Sequence, residues 1–280
     1  ARIDIYLKTD PLYKYQWHLD NTGQNNFATD AGTSGADLNV DGAIVADKTG
    51  AGIVVAVIDS GMEITHEDIA ANVVTNGSWN FDDSSNNPVP ALRKANKGSH
   101  GHSIAGIIAA KGWNNLGGRG VAPNASIKLF NYTGTTATFN NTTYMAQSFG
   151  ASSFSLASDV SVFNLSFGTL GSATIASQTA LDTMSDTLND QLIAGGTNLR
   201  GGKGASYVGA VGNDYDVPRN TEATEDDGPF CGLGAGAGTF KIGCFDAIFD
   251  PVYLSQYVIG VGSLNADKVK ASYSTPGASL

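Results

Sequence analysis

Basic residues are scarce in this chain. Sixteen Lys and Arg stand against 26 Asp and Glu over 280 residues, giving a formal net charge of −10. Such a surface cannot neutralise a phosphate backbone, so nucleic acid is excluded as a partner. Long hydrophobic runs are missing too: no apolar stretch reaches the length that spans a bilayer. Cysteine is nearly absent. The only two, Cys231 and Cys244, bracket the glycine-rich stretch 232–239. A disulfide there would close a flexible loop, remove unfolded-state entropy worth roughly a few kcal/mol, and indicate an oxidising compartment. Two unlinked buried thiols are the other reading. The chain starts at Ala1 rather than Met, which reads as a processed start. Together these point to a secreted protein, extracellular or periplasmic.

What is present is a hydrophobic content of 41%, enough for a sizeable core, and 35 glycines for tight loops. Buried-strand candidates recur at Ile53–Ile58, Ile127–Phe130, Val160–Leu165, Ser206–Val211 and Tyr257–Val261. Helix-like segments lie between them, at His102–Lys111, Thr142–Phe149 and Ala173–Ile193. Strands alternating with helices predict an α/β fold with a mostly parallel sheet covered on both faces. Residues 1–50 are polar and turn-rich and read as an arm packed on the domain formed by 51–280.

The run Val54-Val55-Ala56-Val57-Ile58-Asp59-Ser60-Gly61 is a buried strand ending in an acid. Open α/β sheets place their chemistry at the carboxyl ends of their strands. Asp59 there is either a turn cap or a functional acid. A second segment, Ser99-His100-Gly101-His102-Ser103-Ile104-Ala105-Gly106, sets a His before a small, apolar helix. An acid and a His on separate elements supply two of the three groups of a nucleophilic triad. His102 competes with His100. His100 is preferred because Gly101 allows close approach, because it precedes the helix, and because Ser103, Ala105 and Gly106 let that helix pack beside the Asp59 strand. His18 and His66 read as structural. Two more strands end in small or amide residues. Asn213, after Tyr207–Val211, can donate to a developing oxyanion, or be a simple turn residue. Val162–Gly168 offers an edge, through Ser166, Phe167 and Gly168, for pairing with an extended peptide.

These four segments, in this order, resemble the subtilisin-like serine proteases, and most closely the kexin and furin branch. Asp10-Pro11-Leu12-Tyr13-Lys14-Tyr15-Gln16-Trp17-His18-Leu19, Gly77-Ser78-Trp79-Asn80-Phe81 and Asn114-Asn115-Leu116-Gly117-Gly118-Arg119-Gly120-Val121-Ala122 follow that branch's pattern. The resemblance implies the subtilisin-like three-layer α/β fold, with Asp59 orienting His100, His100 as general base and Asn213 completing the oxyanion hole. It also implies a Ca²⁺ site made by the carboxylates of Asp10 and Asp68, the Asn114 side chain and the carbonyls of Lys111, Leu116 and Gly118. Mixed oxygen donors of that kind suit calcium. Read without the family, Asp10 is a turn residue before Pro11 and Asp68 a helix-cap acid.

Departures from the pattern narrow the reading. The family's pocket for the residue before the cut is matched by one acid only, Asp250, with Gly171, Phe245 and Thr275 at its other positions. This predicts a basic preference at that residue (P1) without a second calcium. Ser60 and Lys97-Gly98-Ser99 replace acids that would read a second basic residue, so no strict dibasic requirement is expected. The family's nucleophile motif, Gly-Thr-Ser, does not follow Asn213. Gly32-Thr33-Ser34 precedes Asp59 and reads as a turn, and Ser279 precedes no helix. The expected function is a secreted serine endopeptidase whose catalytic domain is incomplete at its carboxyl end here, lacking the nucleophilic Ser. The alternative is a non-catalytic peptide-binding pseudoprotease domain. A nucleotide site at Gly232–Gly238 is weak, because no helix opens after that loop. The partners expected are a peptide or protein substrate, and a propeptide, a chaperone or a carboxyl-terminal fragment of the same protein.

Overall fold

The computed structural model of the chain describes residues 10–89, 100–135, 138, 141–167, 178–213, 218–219, 241–242 and 255–275. Five strands, β1 (Val54–Ile58), β2 (Ser126–Phe130), β3 (Val162–Leu165), β4 (Ser206–Ala210) and β7 (Val258–Val261), form one sheet in the order β2-β1-β3-β4-β7. Every pairing in it is parallel. The short strands β5 (Pro218–Arg219) and β6 (Lys241–Ile242) pair antiparallel and apart from it. All five predicted strands are present, each within two residues of its expected bounds.

The helices are α1 (Asp41–Val45), α2 (His100–Ala109), α3 (Thr142–Ser148) and α4 (Gln178–Gly202). Asn141 caps α3 by accepting the Tyr144 N–H. In α4, Leu199, Arg200 and Gly201 leave helical geometry. The alternation of side chains along each strand divides the core in two. On one face Ala56, Ile58, Phe130, Phe163, Leu165 and Tyr207 pack with Met145 and Phe149 near α3 and with Leu188, Leu192 and Leu199 of α4. On the other, Val55, Val57, Ile127 and Leu129 pack with Ala105 and Ala109 of α2 and with Met62 and Ile69. A sheet between two helical layers is the three-layer α/β arrangement expected.

Among the described residues, α2 packs over β1 and β2. Over β4 and β7 the same face carries Ser206, Val208 and Ala210 beside Ile259 and Val261, with Val208 opposite Ile259 and Ala210 opposite Val261. Ile259 is 58% and Val261 49% exposed, and Leu264 and Tyr273 beyond them are exposed as well.

Three expectations need correction. The helix predicted from His102 already includes His100, so His100 lies within it rather than ahead of it. Of the small residues expected to face the strand, only Ala105 does. Ser103 is exposed and a β-carbon on Gly106 would meet nothing within 4 Å, because at 100° per residue positions 101, 105 and 109 share the inner face. Finally, β3 is no edge: β1 and β4 flank it and use its hydrogen bonds. A peptide can add only beyond Leu165. Cys231, Cys244, Gly168, Gly171, Phe245, Asp250, Ser279 and the loop Gly232–Gly238 lie outside the described residues.

Residues 10–50 touch the domain at several places, two of them through Gln16 and Asn21. Gln16 Nε2 donates to the Arg119 carbonyl and its Oε1 accepts the Arg119 N–H, both at 2.8 Å. Asn21 Nδ2 donates to the Ala266 carbonyl at 3.0 Å, and the Thr33 N–H does the same at 2.9 Å. Gly32-Thr33-Ser34 is thus a turn seated on residue 266.

Candidate active site

Asp59 is the first residue past β1, and its N–H still donates to the Phe130 carbonyl at 3.1 Å, so the sheet ladder fixes its backbone. Its side chain is 3% exposed. One carboxylate oxygen, Oδ1, accepts the Ser60 N–H at 2.6 Å and the Ser60 hydroxyl at 3.1 Å. The other, Oδ2, lies 2.8 Å from His100 Nδ1. An ionised carboxylate only accepts, so this contact puts the imidazole proton on Nδ1 and leaves Nε2 as the basic atom. The His100 ring is 59% exposed. A buried acid behind an accessible imidazole is the arrangement a general base requires.

Gly101 makes that contact possible. A β-carbon there would sit 2.7 Å from the Gly61 carbonyl oxygen, 2.8 Å from Asp59 Cβ and 2.9 Å from Leu129 Cδ1. The helix start therefore lies against the strand end with no room for a methyl group. His102 is engaged elsewhere: its Nδ1 accepts the Glu63 N–H at 3.3 Å, and its ring meets that of His66 edge-on at 4.9 Å.

Asn213 lies just past the end of β4 and is exposed. Ile58 is level with Leu165, and Leu165 with Gly209, so Asp59, Ser166 and Asn213 all leave the sheet at its carboxyl edge. The turn before Asn213 has Gly212 at φ 103°, a value few side chains tolerate, and its carbonyl accepts the Thr275 N–H at 3.2 Å. Thr275 is buried. Ser166 Oγ accepts from Asn164 Nδ2 at 2.9 Å, and the Phe167 ring packs near Tyr132 and Phe149. Residue reasoning missed Ser60 and Thr275 as supports of the site. Ser60 adjoins the acid, which was its signal; Thr275 had none, since its partner is 63 residues away in sequence.

The candidate metal ligands converge at the opposite end of α2. Asp10 and Asp68 are both buried, at 2% and 7% exposure. The loop after α2 curls through left-handed residues Trp113, Asn115 and Gly117. It delivers the N–H groups of Trp113 and Asn114 to the Asp10 carboxylate at 2.9 and 3.1 Å. Asn114 Nδ2 donates to Asp68 Oδ1 at 2.8 Å, and Asn114 Oδ1 accepts the Leu116 N–H. The Lys111 N–H donates to the Asp68 carbonyl at 2.7 Å, and the packing at Gly118 is against Gln16. Burial raises the Asp68 carboxyl pKa above its ordinary 3.8; the Asn114 hydrogen bond opposes this, and the negative charge of Asp10 adds to it. A β-carbon on Gly117 would lie 2.5 Å from Asp68 Oδ2. Among the described residues, no group of three or more His, Cys, Asp or Glu could hold a metal ion. Among them, too, no helix is long and apolar enough to cross a membrane.

Comparison with known proteins agrees with this geometry. The chain is 31% identical to the extracellular serine protease of Aeromonas sobria over 97% of its own length and 40% of that protein's. It is 34% identical to kexin of Saccharomyces cerevisiae over 73% of its length and 22% of kexin's. A crystal structure of the Aeromonas sobria serine protease and its chaperone in complex superimposes with a TM-score of 0.78 at 29% identity, over 97% of this chain and 42% of that one. The chain thus spans less than half the length of these relatives. The sequence profile described as "Subtilase family" matches residues 50–280, and this chain belongs to the subtilase family of serine proteases.

Proposed function

We propose that this chain supplies the acid, the base and the oxyanion donor of a secreted serine endopeptidase. The observation that carries the reading is the 2.8 Å contact between buried Asp59 and accessible His100 at the carboxyl edge of the sheet. Asp59 holds the proton on Nδ1, and Nε2 takes the proton from a Ser hydroxyl as that oxygen attacks the peptide carbonyl. The same Nε2 then gives the proton to the leaving amine. Asn213 donates to the oxyanion. The backbone of Ser166, Phe167 and Gly168 pairs with the substrate, and Asp250 favours a basic residue before the cut. No Gly-Thr-Ser motif follows Asn213 within these 280 residues. Residues 1–50 act as an arm and 51–280 as the catalytic domain.

A Ca²⁺ ion is proposed at Asp10, Asp68 and Asn114, with the carbonyls of Lys111, Leu116 and Gly118. Two buried, mutually repelling carboxylates and a loop kept bare by Gly117 support it. A bound calcium would neutralise that pair and fix the loop. A Cys231–Cys244 disulfide is proposed for the secreted form. Because the relative from Aeromonas was crystallised with a chaperone, a chaperone is proposed as a partner here.

The test is labelling with a fluorophosphonate, which reacts only with an activated Ser. The 280-residue chain should stay unlabelled, and the full-length protein should label in a His100-dependent way. A full-length protein that does not label would favour the non-catalytic peptide-binding reading.

A further inference from the structure

Three residues of the segment leaving β1 meet three successive residues of α2. Asp59 Oδ2 meets His100 Nδ1 at 2.8 Å. The Gly61 carbonyl abuts Gly101, 2.7 Å from where its β-carbon would be. The Glu63 N–H donates to His102 Nδ1 at 3.3 Å. The chain bends at Asp59 and Ser60 and passes through Gly61 at φ 134°, so a side chain, a carbonyl and an N–H in turn face the helix. The first of these contacts is the proposed acid–base pair, the second is steric, and the third ties the far end of the segment down.

We infer that His102 is a positioning residue for the reaction: its Nδ1 pins the Glu63 amide and so holds the Asp59–Glu63 segment in register with the helix that carries His100. The inference rests on the reading of Asp59 and His100 as acid and base. Met62 anchors the segment, fully buried against the second core with its N–H donating to the Pro88 carbonyl at 3.0 Å. Glu63 beside it is half-buried. There the His102 acceptor takes a backbone donor that is otherwise costly to leave unmade. The His66 ring, edge-on to His102 at 4.9 Å, restricts the imidazole from the same loop. A hydrogen bond to Nδ1 also fixes the His102 tautomer, with its proton on Nε2.

The discriminating variants differ only in the acceptor. His102→Phe keeps a flat ring and loses the acceptor; His102→Asn places an oxygen where Nδ1 was. Both are made in the full-length protein. Fluorophosphonate labelling and peptide hydrolysis are measured, and exchange of the Glu63 amide is followed by hydrogen–deuterium exchange. His102→Phe should lower kcat and the labelling rate by about tenfold or more, with KM little changed, since misplacing a catalytic group by a fraction of an ångström carries costs of that order. Glu63 exchange should quicken in parallel. His102→Asn should restore most of both. Equal rates in His102→Phe and the parent would overturn the inference, as would an Asn variant no better than Phe. If the parent itself never labels, the protease reading fails. The positioning claim is then judged by Glu63 exchange alone, where no difference between Phe and Asn sinks it.

Discussion

Replacing Gly101 with Ala tests the link between packing and chemistry most directly. The added methyl would sit 2.7 Å from the Gly61 oxygen, 2.8 Å from Asp59 Cβ and 2.9 Å from Leu129 Cδ1. Comfortable contacts between carbon atoms begin near ~3.5 Å, so the methyl lacks roughly 0.6–0.8 Å on three sides at once. Leu129 can turn aside. The Gly61 carbonyl and Asp59 cannot, because the Asp59 backbone is held by Phe130 and Thr133. The helix must therefore move away from the strand end. Overpacking of this kind costs about 1–3 kcal/mol, which for a chain of this size is roughly 2–10 °C in Tm. The same displacement stretches the 2.8 Å bond between Asp59 and His100 past the useful limit of about 3.2 Å. The rate should fall about a hundredfold. Differential scanning fluorimetry reads the first effect. The second-order rate of fluorophosphonate labelling in the full-length protein reads the second. A Gly101→Ala protein with the parent's melting temperature and labelling rate would refute the packing argument.

Other expectations follow from single sites. Asp59→Asn should preserve the fold yet lower kcat by about 10⁴-fold, because an amide no longer dictates the His100 tautomer; peptide hydrolysis with a melting control checks it. Burial lowers the His18 pKa below its ordinary 6.5, and its Nε2 is buried without a hydrogen-bond partner. The unfolded chain therefore binds the proton more readily than the native one. Stability from this group is present above about pH 6.5 and lost as pH falls toward the lowered native value. His18→Gln should flatten that part of a Tm-against-pH curve, and an unchanged slope would count against it. Calcium at 100 times its dissociation constant should add about 2.7 kcal/mol of stability, read as a rise in Tm that chelation reverses. Asp68→Asn should remove most of that rise.

Much of this was readable from residue order. A run such as Val54–Ile58 announces itself, because a strand buried on both faces needs apolar side chains at every position. The acid after it and the His-Gly pair stood out together, because an acid at a strand's carboxyl end lies where open α/β sheets place their chemistry and a His on a separate element supplies its partner. Helix phase was harder. His100 and Gly101 are poor helix formers, and only contact with Gly61 and Asp59 reveals that α2 includes them. Strand order was not legible either. Nothing in Val162–Leu165 says that β1 lies on one side of it and β4 on the other, since that depends on where the later chain returns. His102 was read as a rival to His100, because composition cannot tell which of two neighbouring imidazoles faces the acid. The triplet Asn131-Tyr132-Thr133 is too common a pattern to establish glycosylation, and Asn131 is fully buried, accepting the Phe81 N–H and donating to Asn80.

The exposed apolar side chains of β7 and the chain after it bear on handling as well as on architecture. Ile259, Val261, Leu264 and Tyr273 are exposed on a protein whose charge otherwise favours dispersal. Exposed apolar surface of this kind drives self-association unless something covers it. Produced as these 280 residues alone, the chain should behave as a sticky colloid. It should bind hydrophobic dyes and scatter light increasingly with concentration. Salt, by screening the −10 charge, should worsen it.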